Sequence, residues 1–427
     1  MTGHALTVQR ALNAGAFMVP GLALWLPSGY SWGAVWLLLL ALWTAPQWGR
    51  HPVRANVWAL TASVAVMALL FISEAGWARG WAGMDRPAKY LAALPCFFML
   101  AWRGPDPQAV WHGVMAGAWG TGAIALWQVL GQGLVRATGY TNEIQYGNLS
   151  LLLGLLCLVA LAVRWRDWHA GWRAGLAGGA ALGFMASALS QSRGGWLALA
   201  LALPVLLALA WRFLPRRLMA RGSATLALAL GALVLALHAP LQSRLALVAQ
   251  EVQLFEQQGE ANTSVGQRLA HWQLAWDMGR EKPLWGWGGA EYVREKADRA
   301  RRGETSHAVT GYDHVHNEML DIFVRRGLLG VLGLLAFYLV PLTVFWPTRA
   351  RLAAVADASP DALGESARRS ALALRLAGVS VVLAYMGFGL TQVFFAHNSG
   401  NLFYLFMLAL LYGALHRSET ARPDGRA

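Results

Sequence analysis

The chain alternates between apolar runs of helix length and short polar breaks, and one long polar interval falls late in the sequence. Twelve apolar runs can be marked, at 11–27, 32–48, 57–76, 90–102, 111–133, 147–163, 176–190, 194–211, 224–240, 328–346, 376–392 and 401–415. Membrane-crossing helices need roughly 17–25 residues, whereas crossing strands need about half that. The pattern therefore predicts an all-α integral membrane protein of about twelve transmembrane helices, with a large helical loop between spans 9 and 10. The expected divisions are 1–240 (helices 1–9), 241–327 (the loop), 328–416 (helices 10–12, with a polar connector at 347–375) and a tail, 417–427. The first apolar run is followed directly by another span, so it is not expected to be a cleaved signal.

Inside the loop the period changes. In "TSVGQRLAHWQLAWDMGREKPLWGWG", Ser264 and Gln267 have capping-box spacing, and Val265, Leu269, Trp272 and Trp276 share one helical face. An amphipathic helix at the membrane surface is predicted, ended by Pro283 and the following glycines. The later run "REKADRARRGE" is expected to be a solvated helix or a loop.

Composition strengthens the membrane reading: 56% of residues are hydrophobic and 13% are charged, against about 25% charged in soluble domains. The net charge of +13 is nearly all arginine and reads as a topology signal, with no nucleic-acid partner expected. With both termini in the cytoplasm, nineteen Lys and Arg lie inside. Five lie in short outside loops: Arg79, Arg86, Lys89, Arg136 and Arg193. That bias puts the long loop outside the cytoplasm. Cys96 and Cys157 both sit in apolar runs and suggest neither a disulfide framework nor a zinc site.

The loop re-enters the membrane through "HVHNEMLDIFVRRGLLG", residues 314–330. On one continuous helix His316, Leu320, Phe323, Gly327 and Gly330 would lie within about 40° of a line. The histidine would crown a face whose glycines admit a neighbouring helix. Asp313 is then the expected N-cap, and His316 falls in the first turn, where the helix dipole disfavours the imidazolium. His314 would point about 200° away. A zinc site from these two histidines would lack recognisable third and fourth ligands.

The same stretch carries a resemblance. His316, Asn317, nine residues and then Gly327-Leu-Leu-Gly330 is similar to the signature of the bacterial O-antigen ligases. The span count and the loop just before the motif are similar too. The resemblance implies a GT-C-like membrane glycosyltransferase with two functional arginines. "SQSRGGW" supplies Arg193 at an outside turn and "SVGQRLAHW" supplies Arg268 in the loop. It further implies a glycan donor on undecaprenyl pyrophosphate, a lipid A–core acceptor, a periplasmic site at the inner membrane and no metal or other cofactor. O-antigen polymerases and protein O-oligosaccharyltransferases share the histidine motif more loosely.

The residue types suit that chemistry. Arginine presents a permanently charged fork to diphosphate oxygens, and a neutral imidazole can take the proton of a sugar hydroxyl. The expected catalytic residues are His316, Arg193 and Arg268; the expected substrate contacts are Asn317, His314, His397, Asn142 and Tyr146. Trp285 and Trp287 are expected at the membrane interface rather than on sugar. A transporter of lipid-linked glycans is the reading from another class. It would place ionisable groups near mid-membrane, whereas here Glu74 lies near a span end and polar residues gather outside.

Overall fold

A computed structural model describes residues 3–75, 83–236, 238–357 and 362–420. Gly76 and Arg79 lie outside them, as do 237, 358–361 within the expected connector and 421–427 of the tail.

Every regular element among the described residues is helical. The helices are α1 (Gly3–Leu22), α2 (Gly29–Trp43), α3 (Ala45–Trp48), α4 (Ala55–Ala75), α5 (Asp85–Trp102), α6 (Pro107–Leu126), α7 (Glu143–Arg164), α8 (Ala170–Leu189), α9 (Gly194–Phe213), α10 (Arg216–Ala236), α11 (His238–Gln258), α12 (Ser264–Glu281), α13 (Gly289–Arg301), α14 (Glu318–Phe345), α15 (Arg349–Asp357), α16 (Ala362–Phe388) and α17 (Asn398–Thr420). A helix lies at each of the twelve expected apolar runs. Among the described residues, seven stretches are long and apolar enough to cross a membrane: those of α4, α6, α7, α9, α14, α16 and α17. The protein is an all-helical integral membrane protein.

Hydrophobicity alone does not decide which helices lie at the centre. The apolar windows of α17, α16 and α7 are 94%, 89% and 78% buried within the protein, against 28% for α9. α9 is comparably apolar, yet turns most of its surface outward, because lipid accepts apolar side chains as readily as a neighbouring helix does. α7 packs on α8 where Gly183 meets the Ser150 carbonyl and Gly154. A side chain at either glycine would hold the two backbones apart.

α11 to α13 and the segment up to α14 build a second, smaller core from Ala270, Leu274, Ala275, Met278, Tyr292, Val309, Val315 and Val324. The predicted loop helix is present as α12, with two corrections. Its cap is Thr263, whose hydroxyl accepts from the Gly266 N–H, and the Gln267 side chain instead donates to the Ala308 carbonyl. Its buried face is not the tryptophan stripe: Gly266, Ala270, His271, Leu274, Ala275, Met278 and Gly279 are buried, and Trp276 is 51% exposed. Small residues are interspersed on this face because α12 lies close on α14, where Gly279 meets the Phe323 ring. α13 is a helix with its outer side paired internally, Glu295 to Arg299 and Arg302, while Lys296 and Ala300 are buried.

Candidate functional site

The stretch that opens α14 departs from a continuous helix at both ends. α14 starts at Glu318, and the N-cap is Asn317, whose Oδ1 accepts from the Leu320 N–H at 3.1 Å. Asp313 is therefore not the cap, and His316 is not in the first turn. His316 instead has φ 56°, a left-handed conformation uncommon for a residue with a Cβ. At the other end Gly327 has φ 61° and ψ −160°, which breaks the helix. The expected five-residue face does not exist.

No neighbouring helix fills the space at Gly327. The loop backbone does: a Cβ there would lie 2.3 Å from the Leu284 carbonyl. Leu328 and Leu329 donate to the carbonyls of Pro283 and Leu284, and Trp287 and Gly288 donate to those of Val324 and Arg325. The extra hydrogen bonds satisfy groups that the break frees.

The left-handed turn at His316 brings the two histidines together instead of opposing them. Their ring centroids are 4.6 Å apart. His316 Nδ1 lies 2.9 Å and His314 Nε2 3.1 Å from one atom, Gln392 Oε1. The Val393 N–H also donates to that atom, which fixes it as the amide oxygen. Both rings must then donate to it, leaving Nε2 of His316 and Nδ1 of His314 as bare acceptors.

Several contacts hold this arrangement. Trp272 of α12 donates to the Val315 carbonyl, and Asp321 accepts from the Val315 N–H. Arg325 bonds Asp321 and the Asp313 carbonyl, and Lys296 bonds the Tyr312 carbonyl. The Asn317 side chain donates to the Leu390 carbonyl and the Glu318 N–H to that of Gly389, tying α14 to the α16–α17 turn that carries Gln392.

Of the expected residues, His397 joins the cluster: its ring is 5.9 Å from His314, and Asn142 lies 3.4 Å from its Nδ1. Asn142 also caps α7. Tyr146 does not join. It is fully buried, with its hydroxyl donating to the Thr121 carbonyl at 2.5 Å, so the sugar contact expected of it is replaced by a core role. Trp287 packs under Lys282 and donates to the Met278 carbonyl, whereas Trp285 is 74% exposed.

Arg193 precedes α9 at a turn that contains a left-handed Gln191. The adjacent Gly194 packs against Thr391, the neighbour of Gln392. Arg268 is exposed at the surface, yet partial desolvation first, and then the charge of Arg193, lower it below its usual value, so the two guanidinium groups lie in electrostatic reach of each other. Among the described residues no carboxylate pairs with either.

The same surroundings keep the imidazoles neutral. Burial chiefly, then His314 and Arg268, bring His316 down to about 4; burial, then His314 and Arg86, bring His397 to about 4. His271 was missed from sequence. It is fully buried, its ring is 6.2 Å from His316, and neither of its nitrogens has a hydrogen-bond partner among the described residues. Burial, with Lys296 next, lowers it to about 3. Its spacing, three residues after Arg268 on one helical side, was a usable signal. Gln392 and Tyr312, whose ring is 4.8 Å from His316, were also missed.

Residues 178–335 match the model of the O-antigen ligase family. Over this segment the chain is similar to that family. The matched segment holds Arg193, Arg268, His271 and His316, while Gln392 and His397 reach the cluster from beyond it. The chain is also 24% identical over 326 residues to an uncharacterized protein of Haemophilus influenzae, covering 75% of this chain and 77% of that one. The family match over residues 178–335 is a likeness to the O-antigen ligases, and the apolar helices mark a membrane protein.

Proposed function

We propose that the protein transfers an O-antigen glycan from undecaprenyl pyrophosphate to a hydroxyl of the lipid A–core oligosaccharide. It does so as a twelve-span, GT-C-like glycosyltransferase of the inner membrane, with its site on the periplasmic side. The observation that carries the proposal is an oriented, neutral His316 in electrostatic reach of Arg268, which is itself in electrostatic reach of Arg193.

The acceptor oxygen attacks the anomeric carbon of the donor sugar, and the bond from that carbon to the pyrophosphate oxygen breaks. The acceptor proton passes to Nε2 of His316. Undecaprenyl pyrophosphate leaves with the bonding electrons, and the two arginines stabilise the charge it gains. Direct displacement inverts the anomeric centre and needs no covalent enzyme intermediate. His314, His397 and Asn142 line the substrate region, and Asn317 positions the histidine segment through its cap.

The test uses purified protein, the lipid-linked donor and a chelator. Arg193→Lys and Arg268→Lys should each lower transfer by about tenfold or more, because the fork is lost while the charge remains. His316→Ala should abolish most transfer while keeping donor binding. Near wild-type transfer by a folded His316→Ala protein would remove the base assignment. A lipid-linked repeat offered as the alternative acceptor separates the two family reactions: growth on that repeat, with none on lipid A–core, would reassign the protein as a polymerase.

A further inference from the structure

The far end of the bundle from the histidines holds a cleft of about 350 Å³. The C-terminal ends of α5 and α17 and the start of α4 form it, whereas His397 and Arg86 mark the opposite ends of α17 and α5. Its polar lining is Arg54, His51, His416, Tyr412 and Thr420. Among the described residues no carboxylate lines it. Its other walls are aromatic, chiefly Trp48, Phe98 and Trp102. The Trp48 and Phe98 rings stack at 6.0 Å, and Phe98 meets the edge of Trp58, whose indole is 58% exposed on the outer surface of the bundle.

The cleft thus holds one fixed positive charge, Arg54, beside two imidazoles, and leads along aromatic surface to the outside of the bundle. A soluble anion would use only the charge. A molecule with an anionic head and an apolar tail would use both. We propose that this cleft binds the headgroup phosphate of an anionic glycerophospholipid from the surrounding bilayer, with the acyl chains running past Phe98 and Trp58. Arg54 contacts the phosphate through its guanidinium fork, and His51 and His416 supply further donors. Basic recesses between membrane helices are suited to such heads. The site is separate from glycan transfer and does not depend on it.

The experiment is native mass spectrometry and thermal denaturation of the purified full chain, with phosphatidylglycerol or phosphatidylcholine of matched acyl chains. Phosphatidylglycerol should bind about tenfold more tightly, and raise Tm more at equal concentration. The double variant Arg54→Gln/His51→Gln should lose that preference. Arg54→Lys should keep part of it, and Arg212→Gln, outside the cleft, should keep it all. Equal binding of the two lipids overturns the proposal, as does undiminished preference in the double variant. Inorganic phosphate tests the source: protection of Tm by phosphate alone, matching that of the lipid and lost in the same double variant, would make this a soluble-anion site and overturn the lipid assignment.

Discussion

One amide oxygen sets the protonation pattern of the histidine pair. Gln392 Oε1 accepts from both rings and from a backbone N–H, so it selects the tautomer that leaves His316 Nε2 free. The consequence for pH is directional. His316 is held at about 4, below its ordinary 6.5, chiefly by burial. The proposed base is therefore neutral above about pH 4 and is lost only as the pH falls through that value. The acid limb of kcat/KM, which reports the free enzyme, should lie well below 6.5. The limb of kcat should lie higher, because a bound diphosphate stabilises the imidazolium. Measuring both profiles checks this; an acid limb of kcat/KM at 6.5 or above would contradict the buried, neutral ring. The residues of this cluster were unequally legible. Arg193, Arg268 and His316 stood in local patterns, whereas Gln392 is 76 positions from His316 and carries only the weak mark of an amide at a helix end.

At the scale of elements, apolar run length located the helices because burial of a continuous hydrophobic surface is what forms them. Periodicity failed where backbone conformation overrides it. The face drawn through His316 and Gly327 assumed helical torsions at both, and neither residue has them. Nothing in side-chain hydrophobicity encodes a left-handed glycine inside an apolar run. The two glycines of the motif should consequently differ. Gly327→Ala forces a Cβ onto the Leu284 backbone at a positive φ, and should destabilise by more than about 2 kcal/mol. Gly330→Ala meets the Arg326 and Ile322 side chains of its own helix, the nearer at 2.5 Å, and should cost less. Thermal denaturation in detergent compares the two; equal losses would mean that the break at Gly327 is not a fixed feature of the folded chain.

For the whole molecule, the proposed arrangement puts the second core and the histidine cluster on one side of the membrane and α15 on the other. Cysteines placed at the exposed Gln257 and Arg301 should react with a membrane-impermeant thiol reagent added from the periplasm, and one placed at the exposed Ala354 should not. The native Cys96 and Cys157 are buried and should stay silent in the folded protein. Labelling of Ala354→Cys from the periplasm, with the other two protected, would reverse the orientation and with it the periplasmic site.

The hydrogen bonds across Gly327 also bear on how such proteins can be recombined. Segment 283–288 and the turns of α14 on either side of the break exchange four backbone bonds. The seam between the loop body and the membrane bundle accordingly runs through the inside of an unbroken stretch of chain, not through a linker. A chimera that borrowed only a relative's loop and ended at residue 317 would leave those partners to an unrelated sequence. The smallest graft that keeps its own joints intact extends into α14 and carries the glycine with it.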